Sequence, residues 1–149
     1  MKQAIQRLVA TDAGWGPLAL RVPVGVIFMA HSSQKLFGWF GGYGLEGTGH
    51  WMASVGLEPG VLMALLVGST EFFGGLALIL GLLVRPAAAA LGFAMLVAIF
   101  AVQIGNGLFV VNNGFEYALA LLAVSVALLI SGAGRSSADA ALAQRVAGR

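Results

Sequence analysis

Seven polar residues stand inside or beside apolar stretches of this sequence, and their side chains could carry chemistry. They are His31, Gln34, Lys35, Glu71, Gln103, Asn106 and Glu116. A carboxyl or imidazole group removed from water becomes a proton site whose charge depends on its partner. Ammonium and amide groups can donate hydrogen bonds to the oxygen atoms of a ligand. We therefore predict proton transfer for Glu71, His31 and Glu116, and ligand binding for the other four.

The surroundings of these residues are too apolar for a water-soluble protein. Of the 149 residues, 59% are hydrophobic and only 9% are charged, whereas about a quarter of the residues of a soluble domain carry charge. The mean hydropathy is +0.93. Spans of about 20 residues with short joints fit this length four times. We predict an all-α integral membrane four-helix bundle that forms one domain over residues 1–149.

Four apolar stretches predict the helices of that bundle. They cover about residues 18–37, 60–83, 86–110 and 115–131. Pro17 and Pro86 suit helix starts, because the first helical position needs no N–H donor. The segment between the first two helices is rich in Gly and Trp, which predicts an outer interfacial loop with a short amphipathic piece. An amphipathic tail follows at 132–149.

Counting along these helices brings the polar residues to one layer. At about 1.5 Å per residue from the cytoplasmic end, His31 lies about 21 Å deep, Glu71 about 18 Å, Gln103 about 25 Å and Glu116 about 23 Å. Ionisable groups at such depth normally face the bundle interior or a wet cavity. At similar depth, Glu71 and His31 could form a pair that shares a proton.

Small residues are expected to bring the helices close together around this layer. Three of them share the helix face of Glu71: Gly68, Gly74 and Gly75. They would let a neighbouring helix approach closely. On the fourth helix, we expect an inward stripe of Ala120, Ala123 and Ala127 below Glu116. Arg21 is only about 6 Å deep, so we expect it to extend to the cytoplasmic headgroups.

Each polar residue also has a purely structural interpretation. Lys35 at a helix end is more often an interfacial anchor than a ligand. Gln103 and Asn106 could be interhelical hydrogen-bond partners, and His31 could simply donate to a carbonyl. Glu71 is the hardest to explain in this way, because a carboxyl near mid-membrane must be protonated or paired.

The composition also limits cofactors and partners. The chain has no cysteine, which excludes an intrinsic dithiol relay or a thiolate metal site. It has neither a bis-histidine haem pair nor a dinucleotide-binding glycine motif. We expect no haem, metal or nucleotide, and any electrons would have to come from partner subunits. The net charge of +2 is too small and too scattered for a nucleic-acid-binding surface, so membrane lipid is the expected surrounding.

Three segments of the sequence resemble the DoxX family of small four-helix bacterial membrane proteins. HSSQKLFGWFGGYG at 31–44, followed by Leu45 and Gly47-Thr48, carries the resemblance most clearly. EFFGGLALILGLLVRP at 71–86, and NGLF with GFEY at 106–117, agree with it. The match spans about residues 18–135. It includes six of the seven polar positions, whereas Gln103 stands where many relatives are expected to have histidine, which speaks against a metal or two-histidine role.

The resemblance implies redox work beside the quinone pool of a bacterial inner membrane. Relatives include a membrane subunit of thiosulfate:quinone oxidoreductase and proteins linked to thiol and oxidative-stress complexes. In the first hypothesis, a quinone enters from lipid, His31 and Lys35 bind its oxygen atoms, and Glu71 and Glu116 pass protons, because cationic donors stabilise negative charge on oxygen. In the second, the chain is a non-enzymatic scaffold or a small-ligand-binding subunit. The sequence leaves this choice open, together with assembly into homo-oligomers.

The distribution of Lys and Arg predicts that both termini are cytoplasmic. Six basic residues share one face of the predicted topology, and only Lys35 lies at the other; basic residues concentrate on the cytoplasmic side. A membrane-impermeant maleimide should therefore label Ala147→Cys only from the cytoplasmic side. Ser54→Cys, in the predicted outer loop, serves as the opposite control. Labelling of Ala147→Cys from the periplasm alone would contradict this topology.

Overall fold

The part of the chain described by the computed structural model, residues 9, 11 and 13–147, is largely helical. From Gly16 onward it forms six α-helices: α1 Gly16–Phe37, α2 Gly44–Ser54, α3 Gly60–Leu80, α4 Val84–Val97, α5 Glu116–Ser131 and α6 Ala138–Ala147. The described residues contain no β-strand. The prediction of an all-α chain is confirmed at this level.

Glycines end two of the long helices close to where the sequence predicted. Gly38 follows α1 with φ +71°, and Gly81 follows α3 with φ +68°. Glycine adopts this left-handed conformation without steric cost, so it commonly ends helices. Because of Gly81, α3 ends at Leu80 and not at residue 83. α4 begins at Val84, so Pro86 lies within its first turn.

The third predicted span departs from a regular helix. After α4, residues Ala98–Gln103 form a π-helix and Ile104–Asn106 a 3₁₀ turn. The helical path thus stops before the expected residue 110, because Gly107, at φ +78°, turns the chain. The Phe115 N–H then donates to the Gly107 carbonyl at 3.1 Å. Six residues of π-helix are unusual, and such segments occur frequently at functional sites.

The Gly/Trp-rich segment between α1 and α3 is not confirmed as a loop. A 3₁₀ turn at Trp39–Gly41 leads into α2, which has 11 residues. This helix stands where a short amphipathic piece was expected within the loop, but its extent was not predicted because glycine is a poor helix former. The same glycines allow close contact, because a Cβ on Gly49 would lie 2.7 Å from the Cα of Val61. α2 therefore lies directly against the start of α3.

The small residues around Glu71 bring neighbouring helices together, as predicted. A Cβ on Gly75 would lie 2.7 Å from the carbonyl oxygen of Gly25 in α1. Gly74 accommodates Leu91 of α4. The backbones of α1 and α3 thus touch, and the apolar core continues from there to α4 and α5.

The expected alanine stripe on α5 is wrong. The buried residues of this helix are Ala118, Leu121, Ser125 and Leu128, whereas Ala120 and Ala123 are exposed. α5 is apolar around most of its circumference, and in such a helix hydrophobicity alone does not identify the inner face.

The polarity of the protein is inverted relative to a soluble protein. Several large apolar side chains on the long helices and the π-helical segment are more than 60% exposed, among them Phe73, Phe93, Phe100 and Ile130. Among the described residues, three charged side chains are buried: Arg21, Glu71 and Asp139. An apolar exterior of this kind suits lipid. Among the described residues, Gly60–Leu80 and Val84–Asn106 are long and apolar enough to cross a membrane, and Glu116–Ser131 is apolar but shorter.

Arg21 holds together chain segments at one end of these helices. Its guanidinium donates to the carbonyls of Leu78 and Ile79 at 2.7 and 2.6 Å, to that of Ala133 at 3.1 Å, and to that of Ser136. Leu78 and Ile79 belong to the last turn of α3, whose carbonyls have no partner within the helix. Arg21 is only 2% exposed. The expectation that it extends to the headgroups is therefore wrong, although its role is structural.

Asp139 closes the same end from the α6 side. Its carboxylate accepts hydrogen bonds from the N–H groups of Leu83 and Val84 at 2.7 and 3.0 Å, where α4 begins. A negative charge at a helix N-terminus is favourable, because the N–H groups there have no partner within the helix. The Asp139 N–H also donates to the Gly81 carbonyl at 2.9 Å.

Asp139→Asn should lower the free energy of unfolding by about 1–3 kcal/mol, because an amide replaces a charged acceptor and its NH₂ group faces peptide N–H donors. Denaturant titration in detergent micelles measures this change. Glu46→Gln, an exposed carboxyl on α2, is the matched control and should stay within about 0.5 kcal/mol of wild type. Equal stability of the two variants would contradict the capping role.

Candidate functional site

An ion pair joins α1 to α3 inside the protein. The Lys35 Nζ lies 2.5 and 2.6 Å from the two carboxylate oxygens of Glu71. The Glu71 side chain is 2% exposed and that of Lys35 is 28% exposed. A carboxylate buried so deeply needs a partner of opposite charge. Lys35 is therefore the more exposed member of the pair.

Three helices position this ion pair. Lys35 lies in the last turn of α1, where a positive charge interacts favourably with the helix dipole. Its carbonyl accepts a hydrogen bond from the Thr48 hydroxyl of α2 at 3.3 Å. Gly68 of α3, three residues before Glu71, leaves room for the Leu36 side chain. α1 is thus held against both α2 and α3 at the position of the charges.

A cavity of about 280 Å³, which we call the chamber, lies beside the ion pair. Its apolar walls come from five helices and include Phe28, Met52, Val67, Met95, Ala98 and Leu121. Its polar side chains are His31, Lys35, Trp51, Glu71, Gln103 and Tyr117. Apolar walls with a few convergent polar groups are typical of small-molecule sites.

A second cavity of about 580 Å³, the vestibule, lies between α1, α2 and the turn that joins them. Gln34, Tyr43 and Thr48 give it a more polar lining. The Gln34 amide donates to the Phe40 carbonyl at 3.3 Å. Gln34 lines the vestibule but not the chamber. His31, Lys35 and Trp51 line both cavities. Lys35 therefore stands where the two cavities meet.

His31 pairs with a residue that sequence analysis missed. Its Nε2 lies 3.3 Å from the hydroxyl oxygen of Tyr117 on α5. The expected pairing of His31 with Glu71 is wrong, since Glu71 pairs with Lys35 and the hydrogen-bond contact of His31 is with Tyr117. Either ring can donate in the His31–Tyr117 contact, depending on the imidazole tautomer. The chamber thus contains two separate polar pairs.

Gln103 enters the chamber from the π-helical segment. Its Oε1 atom is buried and has no hydrogen-bond partner among the residues that the structure describes. Ala98 and Val102 of the same segment, and Val97 at the end of α4, also line the chamber. The predicted ligand-binding residue is therefore brought close to Lys35 and Glu71.

Two predicted site residues lie elsewhere. Glu116 accepts a hydrogen bond from the Val110 N–H at 2.6 Å, and the Asn106 amide donates to the Asn113 carbonyl at 3.2 Å. Neither lines the chamber. Both stabilise the connection between α4 and α5, so the structure does not bring them to Glu71. Among the residues described, no group of three or more His, Cys, Asp or Glu side chains could hold a metal ion.

Comparisons with known proteins match more than half of the sequence. The DoxX family model matches residues 16–104, which include both members of the ion pair and Gln103. The Bacillus subtilis (strain 168) protein named "Putative oxidoreductase CatD" is 32% identical over 113 residues, which cover 76% of this chain and 78% of that protein. No solved structure matches the chain.

Removing Lys35 from the ion pair should destabilise the protein more than removing the charge of Glu71. Lys35→Met leaves a deeply buried carboxylate without its partner, so we expect a loss of about 3–5 kcal/mol in the free energy of unfolding. Glu71→Gln should cost less than half of that, because the remaining ammonium borders both cavities. Denaturant titration in detergent compares the variants.

The double variant Lys35→Met/Glu71→Gln tests whether the two charges are coupled. It should lose less than the sum of the single variants, with a coupling energy of about 1–3 kcal/mol. Additive losses, or equal losses in the two single variants, would contradict the asymmetric ion pair.

Proposed function

Because the chain belongs to the DoxX family, we propose that it is a membrane subunit of a redox complex and binds the ring of a quinone in the chamber. The family is membrane-associated, and the Bacillus relative carries the name of an oxidoreductase. Together they suggest a redox-associated role at a membrane. The observation that carries the finer proposal is the apolar chamber with the Lys35 ammonium at its edge.

The lining of the chamber fits a quinone head group. Its volume of about 280 Å³ is close to the lower limit of about 300–1,000 Å³ that is usual for small-molecule sites. Side chains such as Phe28 and Met95 offer apolar contact to a ring. Lys35 has three N–H donors, and two are sufficient for the Glu71 oxygens. A bound quinone would supply the capacity to accept two electrons and two protons.

The residues of the chain would orient the ring and manage protons. The Lys35 ammonium would hold a ring oxygen and stabilise negative charge there. If the Lys35 ammonium passed a proton to a ring oxygen, the pair would be left with a net negative charge and would have to take up a proton from outside the chamber. His31 borders both cavities, so we assign it proton exchange between chamber and vestibule.

Electrons would come from a partner protein, because the chain itself has no cysteine. We further propose a four-span bundle in the bacterial inner membrane with both termini in the cytoplasm. Contacts between the two ends of the described chain support an even number of spans: Thr11 donates to the Ser131 carbonyl at 3.3 Å, and the Arg135 N–H donates to that of Gly14 at 3.2 Å.

A scaffold without catalytic function is the second candidate. It is favoured by the way in which the polar side chains of the chamber satisfy one another, Lys35 with Glu71 and His31 with Tyr117. A scaffold needs such a cluster only to join helices. If the protein is a scaffold, the chamber should bind no quinone. The following experiment separates the two functions.

Quinone binding can be measured from the fluorescence of Trp51, which lines both cavities. The chain has three tryptophans, so Trp15→Phe/Trp39→Phe leaves Trp51 alone. A short-tailed ubiquinone should quench this fluorescence saturably. In that background, Ala98→Phe places a ring in the chamber and should weaken binding at least tenfold, or about 1.4 kcal/mol.

Ala101→Phe is the matched control, because Ala101 lies in the same π-helical segment but is exposed and does not line the chamber. It should bind the quinone as the unmodified background does. Quenching that does not saturate, or equal weakening by both substitutions, would reject the chamber as a quinone site. A folded protein without quinone affinity would favour the scaffold.

A further inference from the structure

Gln103, a residue of the chamber wall, carries a hydrogen-bond acceptor that no other described residue uses. Its Oε1 atom is buried without a partner among the described residues, although the side chain lines the cavity. Buried acceptors are nearly always paired, because an unpaired one lowers stability. Because the buried Oε1 atom lowers the stability of the protein when it has no partner, we expect a bound molecule to supply its hydrogen-bond donor.

The π-helical segment is the reason that Gln103 reaches this position. Two pairs of residues five apart in sequence line the chamber together: Val97 with Val102, and Ala98 with Gln103. A spacing of five matches the i to i+5 repeat of a π-helix. In an α-helix, with 3.6 residues per turn, residues five apart point in clearly different directions. The irregular backbone thus places the Gln103 amide in the chamber wall.

The other polar groups of the chamber are donors or are already paired. Lys35 can only donate. Both oxygens of Glu71 accept from Lys35, and the His31 Nε2 is in contact with the Tyr117 hydroxyl. The Gln103 Oε1 atom is thus a buried acceptor of the described chamber lining that has no hydrogen-bond partner, and its complement on a ligand is an O–H or N–H donor.

We infer that Gln103 makes the chamber selective for an aromatic ring that carries a hydroxyl group, as in a hydroquinone or a simple phenol. The inference rests on the proposed function and adds which form of the ring binds more tightly. The last side-chain torsion of glutamine is soft, so Oε1 can turn toward an entering hydroxyl. A ring that carries only carbonyl or ether oxygens leaves this acceptor unpaired.

Gln103→Met separates this role from a structural one, because it removes the acceptor at nearly the same size. Without ligand, the variant should melt at a higher temperature than wild type, since it loses an unpaired buried polar atom. If Gln103 instead made a hydrogen bond that supports the fold, the variant would melt at a lower temperature.

The ligand probes are 4-hexylphenol and its methyl ether, 4-hexylanisole. In the ether, a methyl group replaces the hydroxyl hydrogen, so the ring keeps its oxygen atom but loses its hydrogen-bond donor. Their affinities follow from the rise in melting temperature with free aqueous ligand concentration. Wild type should bind the phenol about 2- to 10-fold more tightly than the ether, the range expected for one neutral hydrogen bond. Gln103→Met should bind both within about twofold. Gln34→Met, which changes an amide of the vestibule only, should keep the wild-type preference.

Equal affinity of wild type for the two probes, or a preference that persists in Gln103→Met, would overturn the inference. So would a lower melting temperature of the ligand-free variant. Quinone quenching of Trp51 is independent of these measurements. Quinone binding without the phenol preference would leave the proposed function standing and refute the role of Gln103. The phenol preference without quinone binding would refute the proposed quinone site and leave the role of Gln103 standing.

Discussion

The Lys35–Glu71 ion pair is the constraint on which the architecture of the site depends. A carboxylate that is 2% exposed is stable only beside a positive charge, and the contact fixes the last turn of α1 against the middle of α3. Gly25 and Gly75 make the approach feasible, because their backbones touch. Apolar residues of similar volume would often serve stability as well or better. The pair also fixes Lys35 where the two cavities meet.

Sequence analysis predicted the need for such a pair but not its members. A carboxyl inside a long apolar run indicates burial, so Glu71 could be identified without a structure. Its partner could not, since His31 and Lys35 lie four residues apart on one helix face and depth counting does not resolve a single helical turn. The outcome depends on how α1 crosses α3, which is a property of packing and not of either helix alone. Arg21 was misjudged for the same reason, because its carbonyl partners come from the distant segment 133–136 and from the end of α3.

The fold itself could be predicted where glycine and proline mark helix ends, and less well where composition is uniform. α5 shows the limit. Choosing the alanine face placed Glu116 inward, whereas the buried face contains Leu121 and Ser125. Tyr117 lies four and eight residues before these two, so the correct face would have pointed to Tyr117. The π-helical segment carried no recognisable signal, because its residues are ordinary apolar helix formers.

That segment has a consequence for how sites of this kind can diverge. A π turn contains about one more residue than an α turn. Losing a single residue between Ala98 and Gln103 would therefore let a regular α-helix form, and the residues after it would keep about the same direction, because the shorter segment completes about the same rotation. Gln103 would then stand four positions after Ala98 and would still face the chamber. A relative that is one residue shorter in this segment can therefore keep the same chamber lining, which a comparison made without a gap would overlook.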